Sequence, residues 1–214
     1  MKNIFKVITD YPIAINSPDH IQPWGTMRDN STSKEFIEEI LNYFNNKSIN
    51  FMDLGCSGGQ LVIDFLKRNN NSIGLEGSDY SAKNKRANWK NYYNENLFTC
   101  DISKPFQVFL NDKPYNCDCI SAWEVIEHLT KEGLEIMFDN IQRHLKPEGI
   151  FVGTISTKED VINGFALHQT VLSKDEWYNF LKKYFDILNY DFKNAVRNDE
   201  GSFHILLKKK QNET

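Results

Sequence analysis

"FMDLGCSGGQ", residues 51–60, decides the fold. Phe51, Met52 and Leu54 surround Asp53 in a short apolar run that reads as a buried strand. Gly55, Gly58 and Gly59 follow at once. "QLVIDFLK" then sets apolar residues at helical spacing and stops at an asparagine run. At a strand–glycine–helix junction, backbone N–H groups point at whatever lies beyond the strand end, and glycine lets a ligand come close.

The flanking chain repeats this alternation. "SIGLEGS", "ENLFTCDI", "NCDCISAW" and "IFVGTIS" read as further strands, and "SFHILLKK" as the last. Between them, "SAKNKRANWKNYY", "KEGLEIMFDNIQRHL" and "SKDEWYNFLKKYF" carry helical periodicity. "KEFIEEILNYF" is a helix ahead of the first strand, with Ser or Thr of Ser31-Thr32-Ser33 as its N-cap. Lys146-Pro147-Glu148-Gly149 is read as a turn. The order predicts an α/β domain with a parallel-rich sheet covered by helices on both faces. Residues 1–30 differ. Pro12, Pro18, Pro23 and Gly25 interrupt them, which predicts an ordered, irregular, non-helical arm, with the domain proper at 31–214.

The chain has 214 residues, 40% hydrophobic and 25% charged, with a formal net charge of −4. These values suit one globular domain. No apolar run approaches the ~20 residues that span a bilayer, and residues 1–20 lack a signal-peptide pattern. A cytoplasmic location is expected. The acidic balance disfavours nucleic acid as a partner, and the one dense basic run, Lys208–Lys210, reads as a solvated tail. Of the four cysteines, Cys117 and Cys119 alternate on one strand, which predicts a shared face. They lack the second ligand pair of a zinc site, so buried free thiols are expected.

The glycine loop fails the nicotinamide fingerprint at Ser57 and Gln60, and it lacks the Lys-Ser/Thr of a Walker loop. Its D-x-G-x-x-x-G pattern, Asp53, Gly55 and Gly59, instead resembles the first motif of class I S-adenosylmethionine-dependent methyltransferases. The resemblance runs in register over residues ~50–155. It implies a Rossmann-like, doubly wound, mostly parallel seven-stranded sheet whose last strand is antiparallel. It also implies S-adenosylmethionine as cofactor and S-adenosylhomocysteine as product. Asp53 would lie near the methionine amino group, the loop backbone at Gly55, Ser57 and Gly59 would pass the methionine and ribose, and Glu76 would accept from the ribose hydroxyls. Asp101 and the Ile102 N–H would hold adenine, and Ala122 would flank the methionine part. Each position also has a plain structural reading: tight turns for the glycines, a solvated acid for Glu76, an N-cap for Asp101.

"SAWEVIEHL", 121–129, places Glu124, Glu127 and His128 at helical i, i+3, i+4 spacing at the end of the fourth strand. Two acids there repel unless a proton or cation intervenes. Glu-x-x-Glu-His at this place resembles the metal site of small-RNA 2′-O-methyltransferases and of ubiquinone-pathway O-methyltransferases. That resemblance implies Glu124, Glu127, His128 and His168 as ligands of Mg²⁺ or Mn²⁺, and Glu127, His128 and His168 as catalytic. His128 as a general base, or as a helix cap that holds Glu124, is the metal-free alternative, while His144 and His204 read as structural or exposed. The expected acceptor is a hydroxyl on a small molecule or sugar-type compound. An RNA-end 2′-O-methyltransferase and a non-catalytic binding module are the alternatives. Arm residues Tyr11, His20, Trp24 and Arg28 suit either contact with an acceptor or pinning of the arm to the core.

Overall fold

The computed structural model describes residues 3–189, 193–197 and 199–210. Seven strands form the central sheet: β1 (Asn50–Leu54), β2 (Asn71–Glu76), β3 (Leu97–Thr99), β4 (Cys117–Trp123), β5 (Leu145–Ser156), β6 (Phe185–Ile187) and β7 (Ser202–Lys209). Their spatial order is β6-β7-β5-β4-β1-β2-β3. β1 pairs parallel with β2 and β4, β2 with β3, and β4 with β5. Only β7 runs against the rest, antiparallel to both β5 and β6. The order reverses between β1 and β4, and a ligand crevice forms at the carboxyl ends beside such a switch point.

Alternate residues of each strand bury themselves on opposite faces. Met52, Ile73, Ile120 and Phe151 pack with helices Lys131–His144 and Lys174–Leu181. Phe51, Cys119, Ile150 and Leu206 pack with helices Lys34–Tyr43 and Gln60–Lys67. Ser33 caps the first of these by accepting from the Phe36 N–H. Ser173 and Glu176 form a reciprocal capping box on the helix before β6.

Four expectations need correction. The predicted helix in 81–93 is two short helices, Tyr80–Lys83 and Trp89–Tyr92, because Lys85 (φ 50°) and Ala87 (φ 47°) are left-handed. Cys117 and Cys119 occupy opposite faces. A register irregularity between them resets the alternation, and β5 already pairs at Leu145, ahead of the expected turn. Both thiols are buried and free, as expected. The arm is not wholly irregular: Phe5–Ile8 pairs antiparallel with Gln107–Leu110. It also carries two helical turns, Pro18–Ile21 and Trp24–Arg28. The four-residue strand relies on distant partners, such as Tyr115 edge-on to Phe5 at 5.0 Å, so local pattern alone does not reveal it.

β4 and β5 carry the residues that enter the site, and their spacing depends on Gly153, paired with Ala122. A Cβ at Gly153 would lie 1.8 Å from the Ala122 carbonyl oxygen. Gly153→Ala should therefore destabilise the protein by about 3 kcal/mol in urea unfolding. An unchanged midpoint would show that these strands tolerate separation.

Candidate active site

The glycine loop leaves β1 with Gly55 (φ 74°), Ser57 (φ 47°) and Gly59 (φ 81°) left-handed. This winding turns the Ser57 N–H onto the Glu76 carboxylate, where it donates to Oε2 at 2.7 Å. The Ser78 N–H donates to Oε1 at 3.1 Å. The acid that ends β2 thus fastens the loop that ends β1. Two loop glycines are fixed by close neighbours. A Cβ on Gly55 would meet Val125 Cγ2 at 2.5 Å, and one on Gly59 would meet Leu97 Cδ1 at 2.6 Å.

Beyond the strand ends lies a cavity of about 820 Å³, within the range of small-molecule sites. Gly55, Ser57, Glu76, Asp101 and Ile102 line it. Asp53, Gly59 and Ala122 do not. Asp53 is buried beneath the wall and accepts from Ser121 Oγ at 2.6 Å. Gly59 begins the following helix, and Ala122 is fully buried in the core. Trp123, Glu124 and Val125 present the end of β4 to the cavity instead. Asp101 accepts from the Ser103 N–H at 3.0 Å and from Ser103 Oγ at 2.6 Å, so it closes a turn and caps no helix.

The second cluster forms where β4 and β5 end. Ile126–His128 is a single 3₁₀ turn, not an α-helix, with Ile126 and Glu127 fully buried. Glu127 Oε1 accepts from the Ser156 N–H at 3.0 Å. Its Oε2 is buried with no protein partner, a costly state for a carboxylate oxygen. The Glu127 carbonyl accepts from the N–H groups of Gln169 (2.8 Å) and Thr170 (3.0 Å). Those bonds bring in His168 from the loop after β5. A hairpin of Val161–Ile162 and Phe165–Ala166 turns through Asn163-Gly164 ahead of it, a dipeptide that signals such a turn in sequence. The His128 and His168 rings meet edge to face at 4.7 Å.

Glu127, His128 and His168 each place a ligand atom within 4.8 Å of the others. His168 Nδ1 donates to the Lys158 carbonyl at 2.5 Å. His128 Nδ1 lies 2.9 Å from Asp19 Oδ2. His168 Nδ1 is thus held by a carbonyl, while His128 Nδ1 stands beside the Asp19 carboxylate. Two imidazoles and the orphan Glu127 oxygen fit a divalent cation with open positions. The structure does not bring Glu124 into this group. Its φ of 54° turns it out of the 3₁₀ turn, and its Oε2 accepts from Ser202 Oγ at 2.7 Å.

Acids surround the cavity and several lack matching positive charge. Burial pushes Asp53 up to about 7 despite its Ser121 bond, and it likewise raises Glu76. Burial also pushes Glu127 up to about 7, opposed by His128 and reinforced by Glu124. For His128, burial favours the neutral ring, but the Asp19 contact and the Glu127 charge outweigh it and raise the pKa. Burial lowers that of His168. His144 is structural as expected, accepting at Nε2 from the Val108 N–H at 3.1 Å.

The arm crosses the cavity. The Tyr11 carbonyl accepts from the Asp101 N–H and the Ala14 N–H donates to the Gly77 carbonyl, both at 2.9 Å. The Asp29 carbonyl accepts from Ser57 Oγ at 2.7 Å, and Asn30 Oδ1 accepts from the Gln60 N–H at 3.1 Å. Arg28 stacks on Trp24 at 3.4 Å. Ser121 and Trp123 belong to the fourth-strand motif with Ala122, whereas Asp19 escapes the sequence reading as a functional residue and carries no local signal.

A family profile described as a methyltransferase domain matches residues 28–195. The chain belongs to this methyltransferase family. No curated protein matches the sequence. Among solved structures, the methyltransferase is similar to an S-adenosylmethionine-dependent methyltransferase from Clostridium acetobutylicum. Identity is 16%, coverage 89% of this chain and 98% of the other, and the TM-score 0.61. It is also similar to the glycopeptide N-methyltransferase MtfA complexed with sinefungin, at 14% identity, 86% and 95% coverage and a TM-score of 0.54. A TehB-like methyltransferase from Corynebacterium glutamicum matches at 13% identity, 90% and 97% coverage and a TM-score of 0.55. The methyltransferase thus shares the fold of S-adenosylmethionine-dependent enzymes. Among the described residues, no helix is long and apolar enough to cross a membrane.

Asp53 makes a pH test available. Its folded pKa of about 7 exceeds the ordinary 3.8. Between those values the folded state holds a proton that the unfolded state has lost, so this group's contribution to stability falls as pH rises. Wild-type stability should therefore decline relative to Asp53→Asn from pH 4 to pH 7 in urea titrations. Parallel curves would contradict the assignment.

Proposed function

We propose that the protein transfers the methyl group of S-adenosylmethionine to a hydroxyl of a small or sugar-type acceptor, with a divalent cation held by Glu127, His128 and His168. The observation that carries this reading is the convergence of those three side chains beyond β4, with the buried Glu127 Oε2 unpartnered. The donor's sulfonium and ammonium groups are cations, and Asp53 and Glu76 are buried acids short of positive charge. The donor would lie along Gly55, Ser57, Glu76, Asp101 and Ile102. Ser57 and Ser78 each use one acceptor site of Glu76, and a carboxylate has further lone pairs for the ribose hydroxyls. Asp53 acts through the wall, since it does not reach the cavity surface.

The transfer forms a C–O bond as the S–C bond breaks, and the hydroxyl proton departs. A neutral hydroxyl is a weak nucleophile. When bound, the cation orients the acceptor oxygen and lowers its pKa. Two imidazoles and one carboxylate suit Mn²⁺ better than Mg²⁺, which prefers oxygen ligands. Residues 3–30 serve as a lid that excludes water from the reacting groups and presents Tyr11 and Trp24 to the acceptor. Acids at the cavity, among them Asp19, Asp29, Asp101, Glu159 and Asp160, disfavour the phosphates of an RNA end.

The contact between Asp19 and His128 supports a second reading. Without a cation, His128 Nε2 would take the hydroxyl proton as a general base.

The test is transfer of labelled methyl to a panel of hydroxylated acceptors, with stripped protein and with Mn²⁺ or Mg²⁺ restored. Turnover should require the cation, and Glu127→Gln should lower kcat about 100-fold with donor affinity retained. Full turnover after metal removal would favour the general-base reading. Full turnover in Glu127→Gln would remove the cluster from the chemistry.

A further inference from the structure

Asp19 belongs to none of the motifs in the methyl-donor region. It sits in the arm's first helical turn, Pro18–Ile21, where the Ser17 side chain caps the turn by accepting from the His20 N–H and Pro18 occupies the first position. That rigid turn carries the Asp19 carboxylate to the far side of the cavity, where Oδ2 stands 2.9 Å from His128 Nδ1. The two side chains are largely sheltered, at 30% and 19% exposure, so the contact is less screened than a surface pair.

We propose that Asp19 is a positioning residue for the reaction, supplied by the arm. Its carboxylate, 2.9 Å from Nδ1, would hold the His128 proton there and leave Nε2 as the working nitrogen. This inference rests on the proposed role of His128 and deepens it. The chemistry is that of any imidazole whose one nitrogen must work: a carboxylate on the other nitrogen selects the tautomer and fixes the ring plane. Either reading of His128, as ligand or as base, needs an unprotonated Nε2.

The arm's anchors give the contact a further consequence. Tyr11 and Ala14 bond to Asp101 and Gly77, at and just beyond the β3 and β2 ends. Asp29 bonds to Ser57 on the glycine loop. Asp19 lies between these anchors in the chain. The segment that orients His128 is thus seated on the same strand ends that line the donor's part of the cavity. The seating of the arm and the orientation of His128 are thus linked through Asp19.

The experiment is nitrogen-15 NMR of histidine-labelled full-length protein in alkaline buffer, where imidazole is neutral. His128→Gln assigns the resonances, and no donor, metal or acceptor is added. Wild type should show His128 protonated on Nδ1. Asp19→Ala should shift it toward the Nε2-protonated tautomer, and Asp19→Asn, which keeps an acceptor oxygen, should restore most of the wild-type spectrum. In turnover assays Asp19→Ala should lower kcat about 10- to 100-fold with donor affinity unchanged, and Asp19→Asn should recover part of the loss. An unchanged tautomer and kcat in Asp19→Ala would overturn the proposal. A shifted tautomer in a protein that binds no S-adenosylmethionine would instead uphold the contact and refute the function on which it rests.

Discussion

The site depends on one buried carboxylate. Glu76 ends β2 and accepts the Ser57 and Ser78 N–H groups, so it fastens the loop after β1 to the end of β2. The winding of the glycine loop follows from it, because the Ser57 N–H must turn inward to reach Oε2. Trp89 Nε1–H then donates to the Ser57 carbonyl at 2.7 Å, and Arg86 donates to Ser57 Oγ at 3.0 Å. Thr26 of the arm approaches Glu76 Oε1 at 3.5 Å. Loop, arm and the 80–92 segment all converge on this corner.

A carboxylate held this way satisfies two buried donors, yet burial raises its pKa against the pull of those bonds and of Arg86. Asp53 and Glu127 share that condition. The fold draws these acids into the protein; among the described residues, half-buried Arg86 faces Glu76, and Arg197 at the cavity faces Asp29 and Glu124. Such a set disfavours the empty state and favours cationic ligands. The proposed sulfonium donor at one end of the cavity and the proposed divalent cation at the other would be two answers to the same electrostatic problem. His128 offers a partial third, since it answers to Glu127 on one side and Asp19 on the other.

Features encoded within a few neighbouring residues were legible in the sequence. Six of the seven strands and the larger helices follow from apolar periodicity, and the Ser33 and Ser173 caps from residue type; β6 does not, because Phe185 reads as the end of a helix that stops at Leu181. Gly55, Ser57, Glu76, Asp101 and Ile102 were legible as a set because each ends or follows a strand. What escaped depends on distant partners or unusual backbone. Lys85 and Ala87 break a helix in left-handed conformations that neither residue type announces. The irregularity at Cys117 breaks the two-residue alternation on which face assignments rest. Glu124 keeps helical spacing on paper, but its own positive φ removes it from the face of Glu127 and His128. Asp19 meets His128 only because the arm folds back over the strand ends. Asn163-Gly164, by contrast, carries a local hairpin signal.

Calorimetric titration of S-adenosylmethionine into the wild-type protein and Glu76→Gln tests most directly whether the buried acid organises a methyl-donor site. The wild type should bind one donor per chain, and Glu76→Gln should bind it far more weakly while remaining folded by circular dichroism. Absence of binding to the wild type in every metal state, or equal affinity in the two proteins, would contradict the account.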